Sequence, residues 1–282
     1  MTQSESPTIT YRLLTETEDF QKVFQLETKI WHMEGGDAVS PHTMHAVSHN
    51  GGSIIGAERE GDMVGFVFGF PAYKNGKVYL WSHIAGTIDV YRGQGIGVQL
   101  KLEQRRWAIA NGYDLIGWTF DPMQRGNANF NLRRLGAICT SYGENVYGDM
   151  QDGLNKGMKS DRFKAAWMLN DPRVVAIADG DTLPFATQNF DDSLFLLRRD
   201  ANGSLLQAET LPADAPFCFV EIPQHLAMLK RENLELARAW QLALRSSVQM
   251  ALAEQYAVVD FITQDERCFY VLQRQHNFKT YF

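Results

Sequence analysis

The chain has 282 residues, enough for one large domain or two smaller ones. Hydrophobic residues make up 45% and charged residues 21%, a mixture typical of globular rather than disordered proteins. The formal net charge of −6 argues against a nucleic-acid partner, which would need a basic surface. No apolar run is long enough to predict a membrane span, so we expect neither nucleic acid nor membrane as partner.

The cysteines and histidines predict no metal site. Cys139, Cys218 and Cys268 have no paired spacing, so we expect small buried side chains rather than disulfides or metal ligands. Four histidines crowd together, without the spacing typical of zinc: His32, His42, His45 and His49. The polar segment Met1 to Thr10 lacks the apolar core of a signal peptide, and we expect the cytoplasm.

The first third of the chain predicts a strand, two helices and a meander. Residues 9–14 form the first predicted strand, and apolar residues at helical spacing follow it as far as Ile30. Ser40-Pro41 marks the start of a second helix. Three predicted strands come next: residues 53–59, 63–70 and 77–90. The pair Asn75-Gly76 predicts a hairpin between the last two strands, so these strands are expected to run antiparallel.

A glycine-rich segment lies where the third strand gives way to a helix predicted to reach about Asn111. Gly93, Gly95 and Gly97 lack side chains where backbone would approach a ligand. The following helix offers unpaired N–H groups and the positive end of its dipole, which suits a pyrophosphate. Arg92 adds a charged donor. The spacing of the glycines matches neither the dinucleotide-binding fingerprint nor a P-loop. A structural turn that binds no ligand remains the alternative.

The middle of the chain predicts a strand over residues 113–120 and a short helix, Asn127–Leu135, that ends at Gly136. Two strands are expected near residues 138–147 and 163–169. Asn170-Asp171-Pro172 then interrupts the pattern, and we predict a domain of residues 1–175 followed by a module of residues 176–282.

The C-terminal module is predicted to be a smaller α/β unit. Its expected elements are a hairpin at Asn202-Gly203, strands over 217–222, 257–263 and 268–272, and a long amphipathic helix containing Trp240. A helix that runs into a strand through a tyrosine occurs twice, at Tyr113 and at Tyr256. The module is therefore either a degenerate copy of the core or similar to it by chance.

Residues 91–97, Tyr-Arg-Gly-Gln-Gly-Ile-Gly, resemble the acyl-CoA loop of the GNAT superfamily of N-acyltransferases. The meander before them and the helix–strand–helix after them stand in that family's order, over roughly residues 8–170. The segment 127–137 resembles the later helix that flanks the pantetheine arm. Segments at 118–122, 160–163 and 259–261 resemble a bacterial subfamily of predicted acyltransferases, some linked to N-acylation of amino acids, including N-succinylation of D-amino acids.

The resemblance implies an α/β fold with an α+β-like mixed sheet and acyl-CoA as co-substrate, either acetyl-CoA or succinyl-CoA. It implies that loop amides hold the pyrophosphate: Arg92, Gly93, Gln94, Gly95, Ile96 and Gly97. Backbone at Ile88 and Val90 would pair with the pantetheine, and an N–H there would stabilise the developing oxyanion. Asn127 and Asn131 would contact the coenzyme from the later helix.

The resemblance also implies where acid and base would lie. His83, on the strand that leads to the loop, is the candidate base that deprotonates the amine. Many members carry a tyrosine acid where this chain has Leu132. Either another acid replaces it, with Tyr142 and Tyr147 as candidates, or the thiolate leaves without an acid. Asp121 either binds the acceptor ammonium or begins a turn with Pro122. A purely structural role for each of these residues stays open.

The expected activity is N-acyl transfer from coenzyme A to the amine of a small molecule, for instance an amino acid, by direct attack without a covalent enzyme intermediate. A non-catalytic acyl-CoA sensor and an O-acyltransferase remain alternatives. The C-terminal module would cover the acceptor site or build a homodimer, and the sequence does not choose between these roles.

Overall fold

The computed structural model of the chain describes residues 8–31, 38–149, 156–181, 190–264, 266–275 and 281. The chain divides into two compact units, residues 1–118 and residues 119–282. No helix within the described residues combines the length and the apolar character needed to cross a membrane.

The described residues of the first unit form five neighbouring strands and three α-helices. Its elements in chain order are β1 (Ile9–Leu13), α1 (Thr17–Trp31), α2 (Pro41–Ser48), β2 (Ser53–Arg59), β3 (Asp62–Lys74), β4 (Lys77–Thr87), α3 (Ile96–Ala110) and β5 (Leu115–Phe120). The strands lie side by side in the order β1-β2-β3-β4-β5, and β5 continues across the division between the units. All neighbours are antiparallel except β4 and β5, which are parallel.

Successive side chains of the central strands point to opposite faces of this sheet, and apolar side chains form a core on each face. Ile54 and Phe66 point to one face, where they pack with the apolar side of α1 and with α2. Their chain neighbours Ile55 and Val67 point to the other face, where α3 covers them. The face to which a strand residue points therefore determines which helix its side chain packs against.

Local sequence rules account for the turns and caps of this unit. Asn75 and Gly76 both have positive φ angles, 52° and 77°, as the two-residue hairpin turn between β3 and β4 requires. The Ser40 hydroxyl caps α2 by accepting from the Thr43 amide at 3.2 Å. The predicted hairpin and the predicted start of the second helix are confirmed.

The part of the second unit that the structure describes contains seven neighbouring strands of mixed direction. Its elements are α4 (Arg125–Ala128), a π-helical turn (Asn129–Arg134), β6 (Ile138–Gly143), β7 (Arg162–Met168), α5 (Pro172–Ala178), β8 (Phe195–Arg199), β9 (Leu205–Gln207), β10 (Phe217–Ile222), α6 (Leu226–Glu232), α7 (Leu234–Ala253), β11 (Tyr256–Gln264) and β12 (Arg267–Arg274). The strand order is β7-β6-β11-β12-β10-β8-β9. Only β8 and β10 pair in parallel among the strand pairs described here.

In this unit one predicted strand is shorter than expected, and one helix was not predicted. The strand predicted for residues 138–147 ends at Gly143, because the chain then turns and the Asn145 amide donates to the Asp161 carboxylate at 3.0 Å. Helix α5 begins at Pro172, where the sequence was predicted to interrupt the pattern and no helix was expected. Asp171 caps it and Pro172 occupies its first turn, a start pattern that was present in the sequence.

The α/β fold class with a mixed sheet is confirmed. The boundary predicted after residue 175 does not coincide with the division between the compact units, which follows Trp118. The faint internal repeat is not matched by strand pairing: β5 pairs in parallel with β4, whereas β11 pairs antiparallel with β12 and with β6. The domain boundary after residue 175 therefore stays a prediction.

Candidate active site

The glycine loop enters α3 through two left-handed residues. Gly93 and Gly95 have φ angles of 79° and 83°, and Gly95 is the N-terminal cap of the 15-residue helix. A Cβ atom added at either glycine would meet nothing within 4 Å. The glycines are therefore required by backbone conformation, and the space in front of them is open to a ligand.

Only part of the predicted set of amides is free, because the Arg92 amide donates to the Asp89 carbonyl at 3.1 Å and is not available to a pyrophosphate as predicted. Within the described residues, no carbonyl or side chain accepts from the N–H groups of residues 93–96. The Gln94 side chain donates to the Val90 carbonyl at 3.1 Å, and Arg92 pairs with Asp89 at 2.8 Å, so the loop is held by its own residues. Free amides at the positive end of a helix dipole form a site for an anion such as a pyrophosphate.

Strand β4 has an open edge before the loop. It pairs with β5 only at Leu80 and Trp81 among the register pairs described, whereas β3 pairs along its other side as far as Thr87. The register between β3 and β4 shifts at Ser82 and Ile84, so the residue between them has no partner on β3. A strand edge with unpaired backbone groups accepts an extended ligand as an added strand.

The extra residue at this bulge is His83. Its ring packs against the rings of Phe68 and Phe70, with centroid distances of 5.9 Å and 5.6 Å, while the residue keeps an exposed surface. Burial of one side lowers the pKa of the imidazole, which favours the neutral form that accepts a proton. Bulges commonly direct a side chain in this way near functional sites.

A buried polar network that the sequence did not predict lies beside the bulge. The Lys101 ammonium donates to the Ser82 hydroxyl and to the Gln104 side-chain oxygen, each at 2.8 Å, and lies 4.0 Å from the centroid of the Trp118 ring. Burial holds the pKa of Lys101 well below its usual range. The only trace in the sequence is a lysine on the apolar side of α3, next to Leu100.

Two of the predicted coenzyme contacts need correction. Strand β4 ends at Thr87, and the Ile88 amide already donates to the Val64 carbonyl at 3.0 Å. Val90 lies in a single 3-10 turn, Asp89–Tyr91, with an exposed side chain. Neither Ile88 nor Val90 extends β4. The backbone edge that is open to the coenzyme arm therefore belongs to the β4 residues before Ile88.

The second unit contains the remaining predicted site residues. Asn127 is exposed on α4, whereas Asn131 is buried in the π-helical turn, where its carbonyl accepts from Ala137 at 3.1 Å. Leu132 is fully buried in the same turn. The position where many family members carry a tyrosine acid therefore faces the core of this unit.

Tyr142 is held in an ion-pair network. Its hydroxyl donates to the fully buried carboxylate of Asp161 at 2.7 Å, and Arg245 binds both oxygens of that carboxylate at 3.0 Å each. Burial and the neighbouring Asp161 charge raise the pKa of Tyr142 well above its usual range. A phenol that holds its proton so firmly is a poor acid, and this geometry disfavours the predicted catalytic role.

Asp121 and Tyr147 have different surroundings. The Asp121 carboxylate accepts from the Met123 amide at 2.8 Å, which matches the turn alternative, and burial raises its pKa. Tyr147 is exposed; its hydroxyl lies 2.9 Å from that of Thr119, and the Arg162 guanidinium lies 5.2 Å from its ring centroid. Of the two tyrosines considered as acids, Tyr147 has the accessible hydroxyl.

The cysteines match the prediction that they are small buried side chains. All three are free and buried, and burial raises the pKa of Cys218 and of Cys268 to about 12, which disfavours a reactive thiolate. No group of three or more histidine, cysteine or carboxylate side chains in the described part of the chain has a metal-binding arrangement. His32, one of the four crowded histidines, lies outside the described residues.

No protein-family model matches the sequence. No curated protein matches it either. Among solved structures, the chain is similar to a GNAT-family acetyltransferase from Streptococcus pneumoniae, at 14% identity and a TM-score of 0.47, over 56% of this chain and 98% of that one. An N-acetyltransferase from Staphylococcus aureus is similar at 15% identity and a TM-score of 0.47, over 57% and 99%. The Salmonella typhimurium protein yncA, solved with its cofactor acetyl-CoA, is similar at 13% identity and a TM-score of 0.48, over 58% and 95%.

Proposed function

We propose that this chain transfers an acyl group from coenzyme A to the amine of a small molecule. The observation that carries the proposal is the loop of residues 92–97, in which the amides of residues 93–96 have no acceptor among the described residues and lie at the start of α3, after a strand with an open edge. An anion site at a helix start suits the pyrophosphate of the coenzyme, and an open strand edge suits its amide-containing arm. The resemblance of residues 91–97 to an acyl-CoA loop supports the same assignment.

The chemistry would be direct attack. His83 takes the proton from the acceptor ammonium, and the amine nitrogen forms a bond to the thioester carbonyl carbon. A backbone N–H at the open edge of β4 stabilises the oxyanion that develops. The carbon–sulfur bond then breaks, and the thiolate takes up a proton from solvent. Proximity and the oxyanion donor together lower the barrier, and no covalent enzyme intermediate is required.

We propose an amino acid as the acceptor and either acetyl or succinyl as the acyl group. The support is the resemblance of residues 160–163 and 259–261 to a subfamily with members linked to N-acylation of amino acids. A fully buried Leu132 and a Tyr142 that donates to Asp161 favour the competing hypothesis of a non-catalytic acyl-CoA sensor.

The first experiment measures thermal unfolding with CoA, acetyl-CoA and succinyl-CoA. A ligand at about 100 times its dissociation constant adds roughly 2.7 kcal/mol to the stability of the state that binds it. We expect a clear rise in melting temperature for the wild type. The rise should be lost in Arg92→Glu, which places a negative charge beside the loop amides, and retained in Lys74→Glu, an exposed charge reversal on the same unit.

A second assay follows thiol release from the acyl-CoA that stabilises best, with amino acids, other small amines and hydroxyl compounds as acceptors. Turnover with an amine supports the proposal. Turnover with hydroxyl compounds alone would indicate an O-acyltransferase, and binding without any turnover would indicate a sensor. Absence of stabilisation by all three coenzymes would leave the loop as a structural turn.

A further inference from the structure

A cavity of about 560 Å³ opens on the surface of the second unit. One wall is formed by residues 123–126, which lead into α4 and form its start. The other is formed by the connection from β10 to α6 and by α6 itself, including Arg231 in its last turn. This volume lies within the range of small-molecule sites, roughly 300–1,000 Å³. The residues that line it play no part in the proposed acyl transfer.

The cavity is positively charged. Arg125 and Arg231 both line it, together with His225, and no aspartate or glutamate does. Within the part of the chain that the structure describes, neither arginine forms an ion pair or a side-chain hydrogen bond, whereas Arg238 and Arg245 in the same unit each pair with a carboxylate. Two unpaired guanidinium groups around one cavity are notable in a chain of net charge −6.

The rest of the lining is largely apolar. Met123 and Leu226 are buried, with 1% and 7% of their surface exposed, and Met228 lies at the surface with 45% exposed. Apolar walls combined with a few charged donors are typical of sites that orient a small organic ligand. A guanidinium presents paired N–H donors that match a carboxylate.

We infer that this cavity binds a small organic carboxylate, with Arg125 and Arg231 as its anion donors. The carbon chain of the ligand would lie against Met123 and Leu226. The inference goes beyond the proposed acyl transfer and does not depend on it, since every observation lies within the second unit and the test needs no coenzyme.

The test is isothermal titration of the full-length chain with succinate and glutarate at low salt. Inorganic phosphate, 1,4-diaminobutane and CoA serve as comparison ligands. We expect the dicarboxylates to bind, and binding to weaken as salt rises. The diamine should not bind.

The variants Arg125→Gln and Arg231→Gln should each weaken carboxylate binding by about tenfold or more, as expected for loss of a charged hydrogen bond. Arg238→Gln, an exposed arginine of the same unit that pairs with Glu235, is the matched control and should bind like the wild type. Melting temperatures of all variants show whether they are folded.

Three results would overturn the inference. They are no carboxylate binding by the wild type, full binding by the folded Arg125→Gln/Arg231→Gln double variant, and binding of phosphate or CoA without any binding of carboxylates. The last result would assign the arginines to phosphate groups.

Discussion

The imidazole of His83 combines three properties that a general base needs. It lies at a bulge, it keeps an exposed surface, and its pKa is lowered by the two phenylalanine rings that bury one side. Desolvation disfavours the imidazolium, so the neutral, proton-accepting form persists to a lower pH than for a histidine in water. A position on a strand, which the sequence showed, does not by itself distinguish a base from a structural histidine.

We predict that kcat/KM for acyl transfer rises with pH along an acidic limb whose midpoint lies below the ordinary histidine value of 6.5. His83→Gln should lower kcat by roughly 100-fold and remove that limb, because general base catalysis contributes about 10²–10⁴-fold. The measurement is a pH–rate profile of both proteins. An unchanged limb in the variant would mean that another group titrates.

The buried Lys101 should make the free energy of unfolding depend on pH. Burial lowers its pKa in the folded chain below the 10.5 of an exposed lysine. Between these two pKa values the unfolded chain holds a proton that the folded chain has lost, so the free energy of unfolding rises with pH until about 10.5.

In Lys101→Met this titration is absent. Urea unfolding of both proteins between pH 6 and pH 10 should therefore show the stability of the wild type increasing relative to the variant as pH rises. Lys29→Met, which removes an exposed lysine in the last turn of α1, is the matched control for loss of a lysine in the same unit. A constant difference between wild type and Lys101→Met would contradict a depressed pKa.

At the level of elements, one buried carboxylate links α7 to β6 and to the segment before β7. Asp161 is fully buried and accepts from Arg245 on α7, from Tyr142 on β6 and from the Asn145 amide. The Lys159 backbone is tied to the same helix through Gln241, at 3.1 Å and 2.7 Å. The network satisfies a charge that would otherwise be costly to bury.

Arg245→Ala should lower the free energy of unfolding by about 3 kcal/mol or more, because it leaves the buried Asp161 charge without its cation. Arg238→Ala, on the same helix but in an exposed pair with Glu235, should cost less than about 1 kcal/mol. Urea unfolding compares the two variants. Asp161→Asn added to Arg245→Ala should restore part of the loss, and equal effects of the two arginine variants would contradict this account.

Across the whole molecule, the division of the chain into units differs from the domains predicted from sequence. Cys139 on β6 pairs with Val258 on β11, and Arg133 forms an ion pair with the buried Asp260 at 3.2 Å. Both contacts lie inside the second unit and join residues on either side of position 175. A chain cut at that position would lose partners for buried groups on both fragments.

A fragment of residues 1–175 should therefore aggregate, since β6 would expose an unpaired apolar edge. Coexpression with residues 176–282 should restore part of the yield of non-aggregated protein. Size-exclusion chromatography of the fragment alone, of the coexpressed pair and of the intact chain measures this. A monodisperse, cooperatively unfolding fragment alone would support the predicted domain boundary instead.

The sequence by itself determined most elements of the first unit and its loop. Hydrophobic alternation, the Asn75-Gly76 turn, the Ser40 cap and the glycines around Arg92 are local properties, because φ preferences and side-chain period act over a few residues. The same local rules located α7 and the strands on either side of it in the second unit.

Only the tertiary structure showed which residues far apart in the sequence form hydrogen bonds, ion pairs and shared cavities. The end of β4 depends on a bond from Ile88 to Val64, and the role of Tyr142 depends on Asp161. The cavity with Arg125 and Arg231 brings together segments about a hundred positions apart in the sequence. Burial, ion pairing and pKa arise from such nonlocal neighbours, which spacing along one chain does not encode.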